Sequence, residues 1–258
     1  MKQCNEVFQN FYLRRTKKVT PIAKPQAIMA KRKQEIENQK VINFLCSENG
    51  NVQKDKILIL CEGYTEVKYF SSLVEKSDGL EKIKIKKGKD VDPLSLVGEA
   101  KRYLSFDRTH EKKLSEVWIV FDRDNHYSYQ SALEKASRDS QIKVAWSNPC
   151  FEFWFLLHFR RKFDDFSRTK SVWNPTTNEF EHLYDSKACV SKLKSCIQGY
   201  KKSDISTFKN LRTRTLKAIE NSSFNQSDAN ELGSSVGLLI QSIIDSLVIQ
   251  DDFWNKED

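Results

Sequence analysis

An α/β fold is predicted by three features of the sequence: short apolar runs rich in β-branched residues, stretches with helical apolar spacing, and regular alternation of the two from residue 56 to about 160. Four strands alternating with helices at these spacings imply a mostly parallel, doubly wound sheet with helices on both faces and right-handed crossovers.

The elements follow in order. ILILC (57–61) reads as a strand, and TEVKYFSSLVEKS (65–77) places Val67, Phe70, Leu73 and Val74 on one helical face, so the order is strand, tight turn, helix. KIKIK (82–86) alternates as an edge strand does. After Gly88, DPLSLVGEAKRYLSF (92–106) reads as a helix with Asp92 as N-cap and Pro93 at its first position. EVWIVF (116–121) is an apolar strand stopped by DRDN, a helix is expected around 128–139, and IKVAW (142–146) is a further strand. Asn148-Pro149 is expected to cap CFEFWFLLHF, a strongly apolar helix. Beyond residue 160 the strand signal stops: 161–186 is polar and irregular, and helices are expected near 187–198, 204–220 and 231–248. The expected division is a basic arm or isolated helix over 1–50, an α/β domain over 51–160, and a helical C-terminal extension over 161–258, lying on the sheet or forming a small second lobe.

Composition bounds the function. With 258 residues, 39% apolar and 30% charged, the chain can bury a sizeable core, which excludes disorder throughout. No apolar run approaches the ~20 residues that span a bilayer. MKQCNEVFQNFYLRR lacks a secretion signal, so a cytoplasmic protein without membrane partners is expected. Cys4, Cys46, Cys61, Cys150, Cys189 and Cys196 lie far apart without zinc-ligand spacing and are expected to be reduced and mostly buried. The net charge of +8 is unevenly placed: residues 1–40 hold ten Lys/Arg against three acids, 186–217 nine against one, and 218–258 one against eight. Two basic blocks point to a polyanionic partner, although a solvated charged surface would look the same.

In open α/β sheets ligands bind at the carboxyl ends of the strands, so acids that follow buried strands are the first candidates. Glu62 follows ILILC directly and Glu66 lies one helical turn on, so both can point into one crevice. Asp122 and Asp124 follow the VWIVF strand two residues apart. Taken singly, each pair could be a turn or a helix cap. Four carboxylates in one place repel unless protonated or bridged by cations. Oxygen-only donors suit Mg²⁺ or Mn²⁺, whose work with carboxylate clusters is phosphoryl transfer or phosphodiester hydrolysis.

EGYTE after one apolar strand and FDRD about sixty residues later after another resembles the Toprim domain of topoisomerases, primases and OLD-family nucleases. More narrowly, ILILCEGYTEVKYF, VWIVFDRDNH, SNPCFEFWFLLHF and GYKK resemble the RloB-like proteins of bacterial defence and abortive-infection loci, over about residues 55–202. The resemblance implies a Toprim-like fold, with Glu62 as general acid or base or a metal ligand, Asp122 and Asp124 as ligands, and Glu66 as a further metal contact. Glu152 would be one more site acid, in keeping with two metal ions; as a first-turn acid it would merely favour its helix's dipole. It also implies a nuclease effector acting on RNA, transfer RNA among it, or DNA, with an ABC-type ATPase partner subunit; the sequence carries no GxxxxGK[ST] motif of its own.

Lys170, Lys187, Lys201 and Lys202 could neutralise a scissile phosphate or track the backbone, with Tyr200 and Lys201 of GYKK preferred, while Lys86, Lys87 and Lys89 flank Gly88 at the carboxyl edge and could contact phosphates. His158 is expected to be a satisfied core residue, whereas His126 beside the acids stays open. Trp146, Phe151, Phe153, Trp154, Phe155 and Phe159 are expected to be core rather than a base-stacking platform. Two other functions compete with a nuclease: a non-catalytic nucleic-acid- or partner-binding subunit, and a primase-like nucleotidyl transferase.

Overall fold

The structure, a computed structural model, describes residues 35–36, 56–77, 79–110, 114–163, 166–175, 177–250 and 252–255. The chain forms two compact units, 1–40 and 41–258, and the second contains the sheet. The basic segment expected over 1–50 lies outside the described residues apart from Glu35 and Ile36.

The first half alternates as its apolar pattern requires: β1 (Lys56–Cys61), α1 (Tyr64–Lys76), β2 (Ile83–Lys87), α2 (Pro93–His110), β3 (Leu114–Asp122), α3 (Tyr129–Ser137) and β4 (Ile142–Asn148). A short helix α4 (Glu152–Leu157) and a hairpin of β5 (Lys170–Asn174) and β6 (Glu179–Leu183) follow. Then come α5 (Ser186–Cys196), α6 (Ser206–Leu211), α7 (Thr215–Ser223), β7 (Gly233–Ser234), α8 (Val236–Leu247) and α9 (Asp252–Asn255). The main sheet has the order β2-β1-β3-β4-β7, with four parallel strands and an antiparallel β7 at one edge. The alternating KIKIK segment is the opposite edge, as its pattern predicts.

Side-chain alternation in β1 splits the core into two layers. Ile57, Ile59 and Cys61 pack with Phe70 and Leu73 of α1, the aromatics of α4, and Leu239 and Ile240 of α8. Leu58 and Leu60 pack with Leu96, Val97 and Ala100 of α2 and with Ala132 and Ala136 of α3. Helices therefore cover both faces of a mostly parallel sheet, consistent with the Toprim-like arrangement, and the acids that end β1 and β3 emerge on adjacent strands. Among the described residues no helix is long and apolar enough to cross a membrane.

Three local expectations change. The region after residue 160 does contain strands: the β5–β6 hairpin turns Trp173 and Phe180 outward as a cross-strand pair at 42% and 65% exposure, so no buried face marks it in the sequence, and β7 is only two residues long. Asn148 does not cap a helix. It ends β4, its peptide bond to Pro149 is cis, and its side-chain amide donates to the Ala229 carbonyl at 3.3 Å. The apolar helix is correspondingly shorter and begins at Glu152. Asp92, by contrast, does cap α2, its Oδ2 accepting the Ser95 N–H at 2.9 Å. The C-terminal helices are built onto the sheet, because α8 buries Val236, Leu239, Ile240 and Ile243 in the same layer as Ile59 and Val120.

Candidate functional site

The register that pairs Cys61 with Val120 brings the ends of β1 and β3 together. The Glu62 N–H continues the ladder by donating to the Val120 carbonyl at 2.9 Å. Its side chain then turns toward β3: Oε2 accepts the Asp122 N–H at 3.1 Å, and Oε1 lies 3.0 Å from His126 Nε2. The hydrogen bond to Glu62 raises the His126 imidazole above its ordinary range, with Asp124 and Asp92 adding to the effect against partial burial. Gly63 then leaves room for Glu66: a Cβ there would stand 2.7 Å from Glu66 Oε2.

Glu66, Asp122 and Glu152 face one another across this crevice. Glu66 is 5% exposed and its Oε2 has no hydrogen-bond partner. Burial, reinforced by the charges of Glu62 and Glu152 and opposed by its own backbone N–H and by Lys202, pushes its carboxyl from 4.5 up to about 7. Asp122, the last residue of β3, has its Oδ1 shut away from solvent and without a partner. Burial, then Glu66, Glu62 and Glu152, raise its carboxyl well above the ordinary range, although the Phe151 N–H opposes this. Glu152, buried in the first turn of α4, receives the Tyr200 hydroxyl at 3.1 Å and the Lys202 ammonium at 3.2 Å, both on Oε1. Partial burial lowers Lys202, but the charge of Glu152 and the nearby Cys150 outweigh it and raise the ammonium.

Asp124 sits at the rim with partners of its own. Its φ of +27° lies in the left-handed region, which aspartate tolerates better than most residues. The Arg123 N–H donates to the Ser147 carbonyl at 2.8 Å and the Asp124 N–H to that of Pro149 at 3.1 Å, so the turn is hooked onto the connection between β4 and α4. Asp124 Oδ1 accepts the Ser186 hydroxyl at 2.9 Å, and Lys170 lies 3.8 Å away. Arg123 points away from the acids, toward Glu181 of the hairpin and over the Tyr129 ring. Glu62, Glu66, Asp122 and Glu152 are thus brought together, and Asp124 lies beside them.

The predicted basic residues divide. Lys86 is not available to a phosphate: it is 1% exposed, and its ammonium donates to Glu99 at 2.9 Å and to the Tyr103 hydroxyl at 2.7 Å. Alternation along an edge strand turned this lysine inward, where a buried acid balances it. Lys87 lies half-buried, 5.6 Å from the Tyr64 ring centre, and Lys89 and Lys201 are exposed. Tyr200 and Lys202 of GYKK return to the crevice through Glu152, so Lys202 rather than Lys201 makes the contact. His158 is a core residue, its Nδ1 3.0 Å from the Trp154 carbonyl, and burial pushes it down to about 3, so it is neutral. Phe151, Phe153, Trp154 and Phe155 are buried at 1% exposure or less, as core aromatics. Cys61, Cys150 and Cys189 are buried free thiols and Cys196 an exposed one. Ser186 had no signal in the sequence, where it reads only as a residue beside the start of α5; Asp185 is that helix's cap, accepting the Lys187 N–H at 2.9 Å.

Among the described residues, no three acidic, histidine or cysteine groups are drawn closely enough to form a finished metal cage. The donor chemistry still fits a hard cation. Glu66 Oε2 and Asp122 Oδ1 are orphaned carboxylate oxygens, and mutual repulsion among buried carboxylates is what a divalent ion relieves. A model of the RloB-like protein family matches residues 57–243, which includes all of these acids together with Tyr200 and Lys202. No curated protein and no solved structure matches the chain.

Proposed function

We propose that this chain, which belongs to the RloB-like protein family, is a cation-dependent nuclease that hydrolyses phosphodiester bonds of nucleic acid. The observation that carries the proposal is the pair of buried, unpartnered carboxylate oxygens on Glu66 and Asp122, at the carboxyl ends of two adjacent parallel strands, with Glu62 and Glu152 close enough to raise both groups. Glu66, Asp122 and Glu152, with Glu62 and Asp124 beside them, are the residues that would hold Mg²⁺ or Mn²⁺. Such an ion supplies charge stabilisation for the phosphoryl oxygens and acidifies bound water.

The chain's own residues have separable roles. Glu62 is the proton acceptor, and His126, whose Nε2 lies 3.0 Å from Oε1, orients its carboxylate by donating to it. Lys202, 62% exposed yet 3.2 Å from Glu152, stands where it can leave that carboxylate for a substrate phosphate. Tyr200 fixes Glu152 from the buried side. Ser186 and Lys170 hold Asp124 at the rim. The family resemblance adds the wider role: an anti-phage effector that cuts RNA, transfer RNA among it, or DNA in the cytoplasm, accompanied by an ABC-type ATPase subunit.

The test is incubation of the purified protein with total RNA and with DNA, in Mg²⁺ or Mn²⁺ and in chelator. Cleavage is expected only with the cation and is expected to disappear in Glu62→Ala. Cleavage that persists in chelator would exclude this mechanism. A non-catalytic binding subunit would instead retain its full activity in Asp122→Ala.

A further inference from the structure

A crevice lined with carboxylates repels phosphates, so affinity for a polyanion must come from cations beside it. Among the described residues, a surface of this kind is continuous with the acids. A groove of about 370 Å³ runs along α5, lined by Ser186, Lys187, Val190, Ser191, Lys194 and Lys202. Two of its residues are the same ones that touch the site: Ser186 donates to Asp124 at 2.9 Å, and Lys202 lies 3.2 Å from Glu152. Lys187, Ser191 and Lys194 are spaced at four and seven residues, which puts them on one helical face and the two lysines about 10 Å apart. Both lysines are exposed, and among the described residues neither ammonium has a carboxylate partner.

We infer that the groove along α5 is the track on which the sugar-phosphate backbone of a nucleic-acid strand approaches the site, with Lys187 and Lys194 contacting successive phosphates and Lys202 meeting the phosphate next to the acids. The inference rests on the nuclease reading of the same site and adds the route of the substrate. Contacts of these lysines and serines to phosphates carry no sequence information, so the track accepts any sequence. An acidic polypeptide is the other polyanion that such a surface could attract. The groove's continuity with a phosphodiester-cleaving site favours nucleic acid.

The test measures binding apart from cleavage. The full chain is titrated in chelator against a short fluorescent single strand of RNA or DNA, by anisotropy over a series of salt concentrations. Lys187→Ala/Lys194→Ala is compared with wild type and with Lys143→Ala, an exposed lysine at the opposite, amino end of the sheet. Loss of two phosphate contacts is expected to make the log–log salt slope shallower by about 1.4 and to weaken binding about 20-fold near 0.1 M salt. Lys143→Ala is expected to bind as wild type does. The inference is overturned if wild type does not bind, if the double variant keeps wild-type affinity and slope, or if Lys143→Ala loses as much. It is also overturned if polyglutamate of equal charge displaces the strand as well as unlabelled nucleic acid does. Cleavage assayed in Mg²⁺ or Mn²⁺ and in chelator separates the two proposals: a double variant that binds and cuts normally removes the groove and leaves the nuclease, whereas groove-dependent binding with cleavage that persists in chelator leaves the groove and removes the cation-dependent nuclease.

Discussion

Two buried charge clusters lie at the carboxyl ends of the neighbouring strands β1 and β2, and their partners differ. Around Lys86 the charges balance: the ammonium meets Glu99 Oε1 and the Tyr103 hydroxyl, and Glu99 Oε2 accepts the Lys89 N–H at 2.9 Å. Around Glu66 and Asp122 like charges crowd together, each carboxylate keeps an oxygen without a partner, and Lys202, bound to Glu152 and mostly exposed, is the lysine that reaches the cluster among the described residues. Burial alone does not separate a structural charge from a functional one. A buried ion whose hydrogen-bonding capacity is filled holds the fold, whereas buried like charges left unfilled raise the energy of the site and would be relieved by a ligand of opposite sign.

The largest effect expected from this contrast is on activity. Glu62→Gln and Asp122→Asn should each reduce cation-dependent cleavage by about a hundredfold or more while the protein stays folded, as measured by single-turnover cleavage and circular dichroism. Unchanged cleavage in both would break the functional half of the comparison.

Stability should respond in the opposite way. Glu99→Ala takes away the carboxylate that balances the buried Lys86 ammonium and should cost about 3–5 kcal/mol in urea unfolding. Asp122→Asn removes a repulsive charge and should leave the metal-free protein as stable as wild type or more so. Equal destabilisation by the two substitutions would erase the distinction between the clusters.

The same asymmetry predicts a pH dependence. Because folding raises the Glu66 carboxyl from 4.5 to about 7, the native state holds its proton where the unfolded chain has released it. Its contribution to stability is complete below about pH 4.5 and is lost as pH rises through 7, by about 3 kcal/mol in metal-free protein. Asp122 shifts in the same direction. Glu66→Gln should flatten this slope, and a divalent cation should restore stability at the alkaline end. Denaturation at a series of pH values, with and without Mg²⁺, checks both. The smallest effect is expected outside either cluster: Lys217→Ala breaks an exposed pair with Glu220 and should change stability by about 0.5 kcal/mol or less.

Much of the sheet was legible because short apolar runs rich in β-branched residues, such as ILILC and EVWIVF, alternate with helical patterns as buried strands do, and the acids that stop them therefore mark the carboxyl edge. Glu62, Glu66, Asp122 and Asp124 could be named on that ground. The β5–β6 hairpin could not, since Trp173 and Phe180 face outward and leave no periodic buried pattern. Ser186 was invisible because its importance is a contact with Asp124, 62 residues away in the chain. Lys86 misled for a related reason: lysines are rarely buried, and Glu99 and Tyr103, the groups that make burial tolerable here, lie on α2, beyond the turn.

By itself, then, the sequence determined which elements form, their order, and which acids stand at the ends of the central strands, because these follow from local apolar periodicity and its interruptions. Only the tertiary structure decided which lysine is inward and neutralised, which one reaches Glu152, and which carboxylate oxygens are left without partners. Those outcomes depend on long-range neighbours and on exclusion from water. Both arise only when the chain has folded.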